Sequence, residues 1–198
     1  MKDYHAHCHG AFIVDSKLNI MSTYYVNNIL LNTTYKEVIN NFISLPKSFW
    51  SFKRKIADKI FPMPENLPFE DVWMSILIKK HSKSILNINK PLYLYRQHGV
   101  QTFGGILNYN IDKVIFRANR LIKLIDIIEN EQNYLIEGIE NPFKDMKSYL
   151  ELQSNKASII KILNSEMYLV KKLKLILILY FPSLATFITK LKWQLDKK

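Results

Sequence analysis

At 198 residues, 48% hydrophobic and 23% charged, the chain is long enough for one domain or a domain with an appendage, and its composition excludes a wholly disordered polymer. Lysine and arginine outnumber the acids 28 to 17, and the resulting +11 favours acidic partners: phosphate groups, nucleic acid or an anionic membrane surface. A single cysteine, Cys8, rules out an internal disulfide and fits a reducing compartment, and the opening residues lack the apolar core of a signal peptide.

In chain order, Ala11 to Asn19 is an apolar run followed by Asp15, Ser16 and Asn19, which predicts a strand entering a turn. Thr34 and Glu37 form a capping-box pattern ahead of Val38, Ile39, Phe42 and Ile43, a modest helix that Pro46 is expected to end. Phe49 to Phe52 reads as a short aromatic strand, and Lys53 to Ile60 as a helix with Ile56 and Ile60 four apart. Three prolines between Phe61 and Pro68 exclude helix and central strand there, so this stretch is a fixed loop. From Phe69 to His81 acids lead, cations close and the centre is apolar on nearly every side, which predicts a buried helix. Ser84 to Asn89 and Pro91 to Arg96 read as two extended segments. Gly99, Gly104 and Gly105 then crowd into one loop, although the chain has only five glycines. Beyond it, Leu107 to Ile128 carries the three-and-four spacing of a long amphipathic helix, and a second helical segment runs from Phe143 to Tyr168 after the Gly138–Pro142 break.

Two motifs carry chemistry. PFEDVW, at Pro68–Trp73, puts Glu70 and Asp71 at a rigid loop–helix junction, about 100° apart around the helix, so one can face a cleft while the other caps or pairs. A carboxylate held there can act as a general base towards an attacking hydroxyl; the plainer reading is two first-turn acids complementing the helix dipole. PLYLYRQHG, at Pro91–Gly99, ends an extended segment on Arg96, Gln97 and His98. Arginine can clamp a phosphate at two points and histidine can ligate a metal or bind an anion, although such residues are also ordinary surface hydrogen-bonders.

In this order and spacing, SFKRKIADKIFPMPENLPFEDVWMSILIKK followed by KPLYLYRQHGVQTFGG resembles the acceptor-side half of a family 2 glycosyltransferase of the bacterial rhamnosyltransferase-like kind. The resemblance covers Ser48 to Gly105 and, more weakly, Ala11 to Asn19. It implies a GT-A fold and an inverting sugar transfer from a nucleotide-diphosphate sugar to a glycan or lipid-linked acceptor, as in bacterial surface polysaccharide synthesis. Asp71 matches the catalytic base and Glu70 the residue that orients it or contacts the acceptor. Arg96, Gln97 and His98 match the motif bordering the donor diphosphate, with His98 a candidate to assist the metal. Mg²⁺ or Mn²⁺ is implied where a complete site is formed, since a cation and loop amides stabilise the charge of a leaving diphosphate.

The sequence departs from that family in two places. The nucleotide-binding strand–helix–strand region is missing, and no Asp-x-Asp occurs anywhere. The expectation is therefore the C-terminal, acceptor-side half of a transferase that turns nothing over alone: a truncated reading frame, a split gene whose donor half is a second chain, or a degraded copy. The expected fold is α/β: a partial GT-A-like region over residues 1–105, a helical extension over 106–170, and a basic amphipathic segment over 171–198.

That last segment holds seven lysines against Asp196, +6 of the total, flanking LILILYFPSLATFIT. Apolar length between basic flanks suits an anionic membrane surface, and equally a buried helix with solvated lysines at its ends. The implied location is cytoplasmic, peripheral at the inner face of the membrane. The alternative function is a non-catalytic, basic, membrane-peripheral binding module. Nucleic acid is not expected, because the charge gathers at the tail and is not striped along an aromatic face. His5, His7 and His9 alternate as strand ligands can, yet no partners at metal spacing accompany them, so a polar strand face at the terminus is expected.

Overall fold

The computed structural model describes residues 4–26, 29–96, 110–140 and 142–195. The chain divides into two compact units, Met1–Gly104 and Gly105–Lys198, of mixed α/β and helical architecture respectively.

The first unit is built on one strand. β1 (Ala6–Val14) buries Ala6, Cys8, Ala11 and Val14 and pairs with every other strand of the sheet. Along one edge it takes two antiparallel neighbours in succession: β3 (Trp50–Phe52) beside Ala6–Cys8, and β2 (Ile20–Tyr24) beside Ala11–Val14. Along the other edge it takes a single parallel partner, β4 (Ile85–Arg96). The expected turn after β1 is closed by Asp15, whose Oδ1 accepts from the amides of Lys17 and Asn19 at 2.8 and 2.9 Å. Gly10 is required where the β1–β4 register shifts, because a Cβ there would sit 2.2 Å from the Tyr24 carbonyl oxygen.

The two extended segments expected on either side of Lys90 are one strand. Pro91 is accommodated at a register shift, opposite Gly10, on a strand whose only partner among the described residues is β1.

The helices follow local signals closely. α1 (Ile29–Asn32) precedes α2 (Tyr35–Asn41), whose capping box is complete: the Glu37 amide donates to Thr34 Oγ1 at 3.2 Å and the Thr34 amide to Glu37 Oε2 at 2.7 Å. Pro46 does not end α2. The helix stops on Phe42 in the left-handed region (φ 49°), and Pro46 precedes a 3₁₀ turn, Lys47–Phe49, that leads into β3. α3 (Arg54–Ile60) is followed by the proline loop, with a cis Phe61–Pro62 bond. α4 (Glu70–His81) then buries every residue from Val72 to Ile78. Within it the buried Ser75 hydroxyl accepts from the Leu45 amide at 3.2 Å, and Lys79 Nζ donates to the Leu30 and Leu31 carbonyls at the end of α1.

In the second unit α5 (Ile111–Asp126) is capped by Asn110, whose side chain accepts from the Asp112 amide at 2.8 Å, and ends in a π-helical turn, Ile127–Glu131. α6 (Lys144–Ser154) and α7 (Ile159–Leu163) replace the single helix expected from Phe143 to Tyr168. Lys156 takes a positive φ of 47°, and Ser158 starts a new helix by accepting from the Lys161 amide, so the backbone turns between them. α8 (Leu169–Tyr180) and α9 (Pro182–Leu195) complete the unit. Leu152, Ala157, Ile162, Met167 and Leu175 form one hydrophobic cluster, so this core runs across residue 170. Leu107 and the Gly99, Gly104 and Gly105 loop lie outside the described residues.

Candidate functional site

The junction before α4 brings together residues far apart in sequence. Phe69 takes a left-handed conformation (φ 57°), which turns the proline loop into the helix and sets Glu70 and Asp71 in its first turn. Both meet the 3₁₀ turn that precedes β3. The Lys47 amide donates to Asp71 Oδ1 at 2.6 Å, and Lys47 Nζ forms an exposed ion pair with Glu70 that raises the lysine's pKa. The two neighbouring acids thus have different tasks. Glu70 is paired at the surface, whereas Asp71 is half-buried, and burial pushes its carboxyl above the usual carboxylate range although the Lys47 amide pulls it down. Among the described residues Asp71 Oδ2 takes no hydrogen bond.

Beside this carboxylate stands an aromatic wall. Phe49, directly after the Lys47–Ser48 pair, is buried; it stacks on His9 of β1 at 6.3 Å and meets Tyr24, Tyr93 and Tyr95 edge-on at 5.1, 5.7 and 6.5 Å. Tyr93 and Tyr95 pack against each other at 6.3 Å, on one face of β4. The Tyr93 and Ser48 hydroxyls share a 2.5 Å hydrogen bond. Burial raises the Tyr93 phenol, and the negative charge of Asp71 contributes to the same rise, which ties the wall to the carboxylate electrostatically.

Asp71 and Glu70 therefore converge on Lys47. Arg96 ends β4, opposite Val14, and strand alternation sets it with Leu94 on the face away from Tyr93 and Tyr95. Gln97 and His98 lie outside the described residues. Sequence reasoning did not single out Lys47, Ser48, Phe49, Tyr93 or Tyr95 as candidate site residues, and it weighed His9 only as a metal ligand. The one available signal was the tyrosine–x–tyrosine alternation in PLYLYR, which puts two phenols on one face.

The histidines near the N-terminus do not form a cluster. His5 Nδ1 accepts from the Lys83 amide at 3.2 Å, and His9 is buried in the aromatic wall, its Nδ1 3.0 Å from the Gly10 carbonyl oxygen. Among the described residues no three His, Cys, Asp or Glu side chains could hold a metal ion. Cys8 faces the core, and burial raises its thiol pKa to about 11, well away from a reactive thiolate.

No family model, curated protein or solved structure matches the chain.

Proposed function

We propose that the α4–β4 face of the first unit is the acceptor side of an inverting glycosyltransferase site on a partial GT-A-like sheet. The observation that carries this reading is Asp71: a half-buried carboxylate with raised pKa at the start of a buried helix, one oxygen fixed by a backbone amide, beside an aromatic wall bearing two hydroxyls. A rigid carboxylate of elevated basicity suits abstraction of a hydroxyl proton. Aromatic faces with a few placed hydroxyls suit a sugar, which presents C–H faces and O–H edges.

In the proposed reaction an acceptor hydroxyl rests on the Tyr93–Tyr95 wall and gives its proton to Asp71. The freed oxygen attacks the anomeric carbon of a nucleotide-diphosphate sugar from the side opposite the diphosphate. The bond from that carbon to the diphosphate oxygen breaks, the diphosphate leaves with the electron pair, and the configuration inverts. Glu70 acts at one remove, holding Lys47 and with it the backbone that fixes Asp71. Arg96, Gln97 and His98 are assigned to the donor diphosphate by the motif alone. Among the described residues no three side chains could hold Mg²⁺ or Mn²⁺, and the step is written without a metal.

Saturation-transfer NMR of the purified chain against a panel of oligosaccharides tests the acceptor side. We expect at least one saccharide to receive magnetisation from the aromatic wall, and Tyr93→Ala to weaken its binding about tenfold, the loss of one good stacking and hydrogen-bonding contact. In a reconstituted enzyme, Asp71→Asn is expected to cut turnover roughly 10²–10⁴-fold while donor binding persists. A chain that binds no saccharide, or a Tyr93→Ala chain that binds as the parent does, would remove the reading.

A further inference from the structure

The exposed apolar residues of the second unit are ordered, and they stand apart from the sugar-transfer reading. On α9, Leu184, Phe187, Ile188 and Leu191 are each between 47% and 61% exposed and fall at three, four and seven residues, the spacing of one helix face. Ala185 points the other way, into the unit. On α8, Leu169, Leu173 and Tyr180 form a similar outward row, while Leu175 and Ile178 are buried.

Two threonine hydroxyls within α9 are turned to its own backbone. Thr186 Oγ1 donates to the Pro182 carbonyl at 2.9 Å and Thr189 Oγ1 to the Ala185 carbonyl at 2.8 Å, so neither hydroxyl depends on water. The charge is one-sided as well: residues 156–198 carry nine lysines against only Glu166 and Asp196. Among the described residues no single helix is long and apolar enough to cross a bilayer, and α8 and the first half of α9 meet the criterion only as a pair bent by 115°.

We propose that this bent pair is a docking surface for an anionic lipid bilayer. The Leu184–Phe187–Ile188–Leu191 face of α9 enters the headgroup–acyl boundary of one leaflet, and the lysines that flank it in the sequence supply the charge for the phosphates. An apolar stripe flanked by unbalanced lysines has the two complementary partners it needs, hydrocarbon and anion, in one lipid surface. Nucleic acid fits less well, because it would call for several stacking rings interleaved with the cations, whereas on this face of α9 only Phe187 offers one. Neither helix alone has the length and apolarity to span a bilayer, so a seat at the surface of one leaflet is the placement proposed.

Flotation of the full chain with phosphatidylcholine vesicles, with and without phosphatidylglycerol, tests the proposal. The parent is expected to float with the anionic vesicles and far less with the neutral ones. Phe187→Ser combined with Ile188→Ser should lower the partition at least about tenfold, since two large apolar side chains leave the hydrocarbon. Reversing one exposed charge, Lys174→Glu, should lower it about fivefold or more. Should the double variant fold poorly, a polarity-sensitive dye on Leu184→Cys in the otherwise intact chain gives an independent reading: its emission should shift to the blue only when anionic vesicles are added. A chain left at the bottom of the gradient, a double variant that floats as the parent does, or an unchanged dye would overturn the proposal. Self-association through this face in place of flotation would overturn it too.

Discussion

α4 and α8 are both twelve residues long and both rich in leucine, isoleucine and valine, yet they meet opposite fates. Seven consecutive residues of α4 are buried, whereas only Leu175 and Ile178 of α8 are. Composition does not separate them; neighbours do. α4 packs against α2, α3 and the 3₁₀ turn at Lys47–Phe49, so it is enclosed on several sides, whereas α8 meets α6, α7 and α9 on one side and turns the other outwards. The apolar helix of the first unit is core; α8 carries three lysines and leaves Leu169, Val170 and Leu173 exposed.

The sharpest way to break this contrast is to cut equivalent side chains. Ile76→Ala, at a fully buried position of α4, should cost about 2–5 kcal/mol in urea unfolding, while Leu173→Ala on the outward row of α8 should stay within about 0.5 kcal/mol. Equal losses would mean that α8 is as enclosed as α4. Next in size is Ser75→Ala, which strands the buried Leu45 amide and should cost about 1–3 kcal/mol even though the replacement is apolar. A neutral result would show that the hydroxyl is dispensable inside that helix. Thr34→Ala removes the side-chain half of the capping box on α2 and should cost about 1 kcal/mol.

The smallest effect is a gain. Burial raises the Asp71 pKa, so keeping that carboxylate charged opposes folding at neutral pH. Asp71→Asn preserves an acceptor for the Lys47 amide and should raise the melting temperature slightly at pH 7. The gain should shrink as pH falls through the raised pKa, where the native carboxyl becomes neutral and the two proteins converge. A gain that persisted at acid pH would assign it to something other than charge. Stability rising while turnover falls is the trade expected of a residue kept for chemistry.

Much of the first unit was legible because its signals are local. Thr34 and Glu37 cap within one turn, three prolines forbid regular structure between Phe61 and Pro68, and the acids and cations of α4 mark its two ends. The misreadings share one cause, namely that the deciding partner is distant or is the backbone itself. Pro91 looked like a break, but Gly10 offers a register shift that absorbs it. The stretch from Phe143 to Tyr168 has helical spacing throughout, yet the backbone breaks it twice, at the positive φ of Lys156 and again after Leu163, where α7 ends on Asn164. The candidate site divides in the same way. Asp71 was visible as a junction carboxylate, but nothing in the spacing ties it to Lys47, twenty-four positions earlier, or ties Ser48 to Tyr93.

Because every strand in the sheet pairs with β1, the order of assembly is constrained. β1 and β2 are joined by the Asp15 turn and can meet early, while β4 must return across the whole first unit to lay Ile85 beside Ala6. Closing so long a loop is the slow step in such a topology. Tyr93 and Tyr95 arrive on that last strand, so the wall beside Asp71 comes into being only as the sheet closes. In refolding, the tyrosine environment should therefore mature after the β1–β2 hairpin is protected from hydrogen exchange, and the site should serve as a reporter of completed folding.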